Sequence, residues 1–121
     1  MLSASPPRLD GQEVLTFIAH MKVVSGKGPE LQILLAHVGE QSRANEPGVM
    51  HYDFAISADD PNQYLVVEVY RDEAAQASHV QTAWVREAIS KTMPLIESID
   101  IKQYVSPGTR PIIMQLPGEF A

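Results

Sequence analysis

The order in which strand-like and helix-like periodicity alternates along this chain constrains its fold more than any other feature. Residues 14–23 alternate with a period of two, residues 29–44 carry an apolar stripe of helical period, and two more strand patterns cover 48–57 and 64–70. A second helical pattern then leads to a fourth strand at 97–105. The order β-α-β-β-α-β predicts an α+β, ferredoxin-like fold, with an antiparallel sheet and the helices on one face.

Prolines and capping residues mark the ends of these elements. Pro29 suits the first position of a helix, and the Pro47-Gly48 turn closes that helix. Asp72 is placed as the N-cap of the second helical region, which must end by Pro94. We expect this region to break into two helices near residues 81–82.

The two ends of the chain differ from its centre. Residues 1–12 contain two prolines, one glycine and few apolar side chains, which indicates a flexible leader, and residues 13–106 form the predicted domain. Residues 107–121 combine prolines with a short apolar segment. Because a free apolar tail would be a liability, we expect an extended C-terminal arm that lies on its own domain or on a partner chain.

The third strand predicts a partner subunit. Its side chains are apolar on both faces, with Leu65, Val67 and Val69 on one and Tyr64, Val66 and Tyr70 on the other. Helices on one side leave the opposite face uncovered. In a chain of 121 residues a second copy of the same sheet is the simplest cover, so we expect a homodimer with the sheets face to face.

Composition argues against several classes of function. The formal net charge is -6 and the basic residues are scattered, which is unlike a nucleic-acid-binding surface. There is no cysteine, and the four histidines have no short paired spacing, so we expect no metal site. No apolar run approaches the roughly 20 residues that span a bilayer, and no signal peptide is recognisable. We therefore expect a cytoplasmic protein that contacts neither nucleic acid nor membrane.

Two stretches carry a family resemblance. They are "EPGVMHYDF", which begins at Glu46, and "YLVVEVYRDEAAQASHVQTAW", which begins at Tyr64. Together they resemble the antibiotic biosynthesis monooxygenase (ABM) domain family of the dimeric α+β barrel superfamily over roughly residues 13–106. The matching positions are a Pro-Gly turn, aromatic residues on two strands, a strand glutamate and an A-x-x-x-H helix, here Pro47, Gly48, Tyr52, Tyr64, Glu68, Tyr70, Ala75 and His79. The resemblance implies a dimeric α+β barrel and, in the family's oxygenases, catalysis without a metal or flavin.

Glu68 and His79 are the predicted catalytic residues. Glu68 stands within an apolar strand, where burial of a carboxylate is costly unless it is paired. His79 lies on the helical region that should pack over this strand, and an adjacent carboxylate would help its imidazole hold or shuttle a proton. The alternatives are a structural ion pair or solvated rim position for Glu68, and a helix-surface position for His79.

Three aromatic residues are the predicted substrate-binding residues. Tyr52 and Tyr70 would orient substrate oxygens, and Trp84 would form a flat wall, although a single Trp is more often part of the core. Trp84 follows His79 by five residues, about 140° around an unbroken helix, so the two share a pocket only if the helix kinks. Alternation places Tyr52 with Met50 and Phe54 on one face. His51 and Asp53 lie on the other, where we expect the dimer interface or its rim.

The function implied by the resemblance is a cofactor-independent monooxygenase that oxidises a small electron-rich aromatic, of quinol or anthrone type, with molecular oxygen. Two alternatives use the same scaffold. One is a non-oxidative isomerase or cyclase with the same base, and the other is a small-ligand-binding dimer without turnover. Oxygen uptake separates the first alternative from the monooxygenase, and full solvation of Glu68 and His79 would favour the second.

Overall fold

The predicted order of elements is confirmed by the structure, a computed structural model that describes residues 11–106. Its elements are β1 (Val14–Val23), α1 (Gly28–Asn45), β2 (Val49–Ile56), β3 (Gln63–Tyr70), α2 (Glu73–His79), α3 (Ala83–Thr92), a single 3-10 turn (Met93–Leu95) and β4 (Ile96–Ser106). The fold is α+β and ferredoxin-like. The predicted arm, 107–121, and nearly all of the leader lie outside the described residues, so both stay predictions.

The four strands form one antiparallel sheet in the order β2-β3-β1-β4. The two central strands are β1 and β3, in which Phe17 lies opposite Glu68 and Leu15 opposite Tyr70. On the other side of β1, Ala19 lies opposite Ile101 of β4. Directly opposite residues project from the same face, so this register places Glu68 and Tyr70 on one face with Phe17 and Ala19.

The helices pack on that face and enclose the core. Buried side chains of α1, α3 and the 3-10 turn meet the sheet there, and the cluster contains Ala19, Met21, Val23, Leu31, Leu35, Val38, Tyr52, Tyr64, Val66, Val85 and Leu95. The helical stripe predicted for α1 is confirmed, since Leu31, Leu35 and Val38 are all buried. Within residues 11–106, no helix is long and apolar enough to cross a membrane.

The break in the second helical region is confirmed, and Thr82 causes it. Its backbone is extended, at φ -64° and ψ 150°, and its side-chain oxygen caps α3 by accepting from the Val85 N–H at 3.4 Å. The same hydroxyl donates to the carbonyl of His79 at 2.7 Å. Asp72 caps α2 as predicted, accepting from the Ala75 N–H at 2.8 Å. The break gives α2 and α3 independent directions.

One strand register differs from the prediction. We expected Met50 to share a face with Tyr52, but the pairing of β2 with β3 shifts between Val49 and His51. Val49 pairs with Tyr70 and therefore lies on the helix side, while Met50 is exposed. A β-bulge inserts one extra residue into a strand, so the residues before it and after it do not follow a single alternation. The apolar pattern after the bulge is still regular, and for that reason the sequence did not reveal the shift.

The opposite face of the sheet carries apolar side chains that are only half buried. Ile18 of β1 and Leu65, Val67 and Val69 of β3 are the central ones. None of them belongs to the core between the sheet and the helices in the described part of the chain. The homodimer that would cover this face stays a prediction.

Candidate active site

A cavity of about 280 Å³ lies between the sheet and the helices. Its walls are mainly apolar, with contributions from β1, β3, β4 and all three helices. Ile89 of α3 and Ile99 and Ile101 of β4 line it while remaining exposed, so they lie at its mouth. Four polar side chains that bear on its chemistry also line it: Tyr52, Glu68, Tyr70 and His79. All four are residues that the sequence predicts for the site.

Glu68 and Tyr70 form the strand side of the polar end. They are two residues apart on β3, so their side chains share the helix-facing side of the sheet. The Tyr70 hydroxyl donates a short hydrogen bond to Oε1 of Glu68. The Glu68 side chain is 22% exposed, which leaves the carboxylate accessible to a molecule in the cavity. Phe17 holds the Tyr70 ring edge-on, with 5.8 Å between ring centroids.

His79 forms the helix side of the polar end. It is the last residue of α2, and its side chain is only 3% exposed. Its Nε2 atom lies 3.6 Å from Oε1 of Glu68, so the structure brings the two predicted catalytic residues together. The Tyr70 and Tyr52 rings lie 5.2 and 5.9 Å from the imidazole, centroid to centroid. The predicted helix-surface alternative for His79 is therefore wrong.

Glu46 is a member of this cluster that sequence reasoning missed. Its Oε1 and Oε2 atoms lie 3.0 and 3.2 Å from Nδ1 of His79, so the imidazole stands between two carboxylates. One signal was available in the sequence. Glu46 directly follows α1, and a carboxylate at a helix C-terminus opposes the helix dipole. A residue that breaks such a local rule is a candidate for a functional role.

Trp84 reaches the site but does not form the predicted wall. Its indole N–H donates to Oε2 of Glu46 at 2.9 Å. Trp84 lines a surface groove between α1 and α3, with Leu34 and His37, and is not among the described residues around the cavity. The physical reason is the helix break at Thr82, which turns α3 so that the indole meets the outer side of Glu46. Among the described residues, Phe17 is the aromatic ring without a polar group that lines the cavity.

Burial and charge keep both tyrosines of the site protonated. Desolvation raises the pKa of Tyr52 and of Tyr70 well above the ordinary value near 10, and the nearby Glu68 carboxylate raises both further. For Tyr70 the hydrogen bond to Glu68 acts in the same direction. At neutral pH each side chain is therefore a phenol that can donate a hydrogen bond, and neither acts as a base.

The predicted rim residues lie on the other face of the sheet. His51 and Asp53 are exposed, and they pair with Val69 and Val67 of β3. Asp53 accepts from the Phe54 N–H at 2.8 Å. Neither contacts the cavity within the described part of the chain.

The residues of the cluster do not fit a metal site. His79 turns opposite ring nitrogens toward Glu46 and Glu68, so one cation cannot contact all three side chains. Across residues 11–106 no group of three histidine, aspartate or glutamate side chains is arranged to hold a metal ion.

A close contact between two small residues positions α2. A Cβ atom at Gly48 would lie 2.5 Å from Cβ of Ala75, closer than such atoms approach in proteins. The carbonyl of Gly48 also accepts from the Arg71 N–H at 2.8 Å, just before α2 begins. The turn after Glu46 and the start of α2 therefore lie against each other, which sets the distance from Glu46 to His79.

The fold and the cavity define a class of small ferredoxin-like α+β proteins that enclose a ligand-sized space between the sheet and the helices. The family model for antibiotic biosynthesis monooxygenase matches residues 14–91. The chain therefore belongs to the antibiotic biosynthesis monooxygenase family, as its two motif stretches indicated.

Several known proteins are similar to this chain in sequence or fold. An uncharacterized protein of Synechocystis sp. is 34% identical over 86 residues, which is 70% of this chain and 58% of that protein, so the match spans little more than half of the relative. A protein of Shewanella oneidensis is 27% identical with a TM-score of 0.72, over 78% of this chain and 92% of that one. Two provisionally named antibiotic biosynthesis monooxygenases are similar in structure. The protein from Nitrosomonas europaea has a TM-score of 0.72 at 25% identity, over 86% of this chain and 97% of that one. The protein from Caulobacter crescentus has a TM-score of 0.75 at 24% identity, over 78% of this chain and 91% of that one.

Proposed function

We propose that the protein is a monooxygenase that oxidises a small quinol with molecular oxygen and needs no separate redox cofactor. The quinol and O₂ give a hydroxyquinone and water. One oxygen atom replaces a ring hydrogen, the other leaves as water, and the quinol supplies all four electrons that O₂ accepts. The observation that carries the proposal is the apolar cavity whose polar end holds Glu68, His79 and Tyr70 in contact with one another.

Proton removal is the step that these residues support best. Triplet O₂ reacts slowly with a neutral closed-shell phenol, whereas a phenolate gives up one electron more readily. A phenol has an ordinary pKa near 10, so a base must accept its proton at neutral pH. In the proposal the Glu68 carboxylate accepts this proton and His79 shares it. The Tyr52 phenol donates a hydrogen bond to a substrate oxygen. The Tyr70 hydroxyl donates its proton to Glu68, so its oxygen accepts a hydrogen bond from the substrate.

The apolar walls contribute in two ways. They bind the faces of an aromatic ring, and they exclude water while the substrate radical and superoxide combine. A volume of about 280 Å³ is just below the usual range for ligand pockets, which begins at about 300 Å³. We therefore favour a quinol of one or two fused rings over a three-ring anthrone.

The burial of the cluster argues against the ligand-binding alternative. Full solvation of Glu68 and His79 would have favoured that alternative, but their side chains are 22% and 3% exposed. A partly buried carboxylate in contact with a buried imidazole is costly to keep, so a function that uses their proton is the simplest reason for the pair.

A second copy of the chain completes the proposed assembly. The half-buried apolar side chains of β1 and β3 on the face away from the helices, such as Ile18 and Val67, would pack against the same face of the copy. A two-fold axis would bring the same face of both copies together with reciprocal contacts. The homodimer is then the dimeric α+β barrel that the resemblance implies.

The test is an oxygen electrode with 1,4-naphthohydroquinone as the probe, corrected for autoxidation. We expect His79→Ala and Glu68→Gln each to lower kcat by about 10²- to 10⁴-fold, which is the usual contribution of a general base. His37→Ala is the matched control, because His37 is an exposed histidine on α1 outside the cavity. Turnover by His79→Ala within a few-fold of the wild type would contradict the assignment of His79. Conversion of a carbonyl substrate without oxygen uptake would favour the isomerase or cyclase.

A further inference from the structure

A second cleft lies on the far side of the Glu46–His79 contact from the cavity. It has a volume of about 220 Å³ and lies between the Pro47-Gly48 turn and α2. Glu46 lines this cleft but not the cavity, and His79 lines the cavity but not the cleft, among the described residues. The Glu46–His79 hydrogen bond therefore crosses the wall between the two spaces.

We propose that Glu46 is the outer end of a path along which protons pass between the cavity and solvent in the cleft. The path runs from Glu68 to Nε2 of His79, through the imidazole to Nδ1, and on to Glu46. This inference rests on the proposed function, because that function requires a proton to leave a substrate in the cavity.

The distances fit a proton path. Nε2 of His79 lies 3.6 Å from Glu68, and Nδ1 lies 3.0 Å from Glu46. If Nδ1–H donates to Glu46, an unprotonated Nε2 would face another acceptor, the Glu68 carboxylate. The 3.6 Å between Nε2 and Glu68 is longer than a hydrogen bond, so a proton passes there only when the two groups move closer together. Such contacts are often longer without substrate and tighten when it binds.

Imidazole is suited to the middle of such a path. In one passage it accepts a proton at Nε2 and releases a different one from Nδ1 with no rotation of the ring, and the Nδ1–H tautomer is restored before the next passage. The Glu46 side chain is 10% exposed, so its carboxylate can pass the proton to water in the cleft. Trp84 holds the other carboxylate oxygen and fixes the orientation of the group. Only O–H and N–H bonds form and break along the path, and no electron moves.

The chemistry of the product explains why the cavity needs this exit. A hydroxyquinone is a vinylogous carboxylic acid and leaves as its anion at neutral pH, so each turnover leaves one proton on the cluster. An aromatic ring in the cavity displaces the water that would otherwise reach Glu68. The cleft stays open to solvent throughout and provides the other route.

The test compares wild type with Glu46→Gln, which keeps the size of the side chain and removes its ability to carry the proton. The Gln oxygen can still accept from Trp84, while its amide faces His79. We expect kcat for 1,4-naphthohydroquinone to fall at least tenfold, to rise with the concentration of a small buffer such as imidazole, and to acquire a larger solvent deuterium isotope effect. Glu30→Gln is the matched control, since that carboxylate is exposed on α1. Thermal unfolding checks that each variant is folded.

Two results would overturn the path. The first is a kcat for Glu46→Gln close to that of the wild type. The second is a lower kcat that does not respond to buffer and shows an unchanged isotope effect, because Glu46 would then only position His79.

A readout without turnover separates this inference from the proposed function. If the wild type does not oxidise quinols, the proposed function fails. The path is then judged by ¹⁵N NMR of His79: slower exchange of the Nδ1 proton with water in Glu46→Gln supports it, and an unchanged exchange rate overturns it.

Discussion

The contact between Gly48 and Ala75 gives the most sharply defined stability prediction. In Gly48→Ala the new Cβ would lie 2.5 Å from Cβ of Ala75, where ordinary contacts begin at 3.4 Å. The turn and α2 must therefore separate by about 1 Å. Neither atom belongs to a flexible side chain, so the backbone has to move. Overpacking of this kind typically costs about 1–3 kcal/mol.

The backbone conformation of Gly48 does not add to this cost. Within residues 11–106 the glycines with positive φ are Gly11 and Gly26, so alanine fits the dihedral angles of Gly48. Without the clash, Gly→Ala at such a site stabilises a protein by about 0.4–1 kcal/mol, because it restricts the unfolded chain. The sign of the effect therefore depends on Ala75 alone.

A double-mutant cycle isolates the contact. Ala75→Gly alone should lower the free energy of unfolding by about 1 kcal/mol, because glycine has a lower helix propensity than alanine. In the Ala75→Gly background, Gly48→Ala should become neutral or stabilising. The difference between its effects in the two backgrounds is the coupling energy, about 1–3 kcal/mol. Urea unfolding followed by the fluorescence of the single tryptophan, Trp84, measures all four proteins. If Gly48→Ala were equally destabilising in both backgrounds, the contact would not be what positions α2.

Three further predictions concern pH, assembly and the arm. The pKa values of Tyr52 and Tyr70 are raised in the folded protein, so their contribution to stability is complete below pH 10 and is lost above it. The free energy of unfolding should then fall by up to about 1.4 kcal/mol per pH unit for each tyrosine. Tyr52→Phe should flatten this slope in urea titrations at alkaline pH, and an unchanged slope would refute the prediction. Val67→Asp on the uncovered face should give a folded monomer in sedimentation, whereas an intact dimer would place the interface elsewhere. A chain ending at Ser106 should dissociate at higher protein concentration than the full chain, and equal dissociation would rule out an arm on the partner.

Much of the fold could be predicted because the local signals agree with the final structure. The bounds of β1 match the predicted alternation, and Asp72 and Thr82 cap helices through hydrogen bonds made within a few residues. The position of Met50 could not be predicted in the same way. It depends on a bulge, which is a property of the pairing between two strands and not of one strand's pattern.

The candidate site was predicted only where its residues share one element or face. Glu68 and Tyr70 are two residues apart on β3, and His79 ends the helix that packs over them, so alternation and helix packing were sufficient. Glu46 is 33 residues from His79 in the sequence, and their contact depends on how α2 docks on the turn after α1. The direction of Trp84 likewise depends on the angle between α2 and α3.

Isotope labelling of the product tests the central claim most directly. The wild-type protein would be mixed with 1,4-naphthohydroquinone under ¹⁸O₂ in unlabelled water, and the hydroxyquinone would be analysed by mass spectrometry alongside a reaction with Glu68→Gln. We expect one ¹⁸O atom per product molecule, one O₂ consumed per product and no accumulation of hydrogen peroxide. Product formation should be slowed about 10²- to 10⁴-fold in the variant. Stoichiometric hydrogen peroxide with unlabelled quinone, or labelled product formed equally fast by the variant, would contradict it.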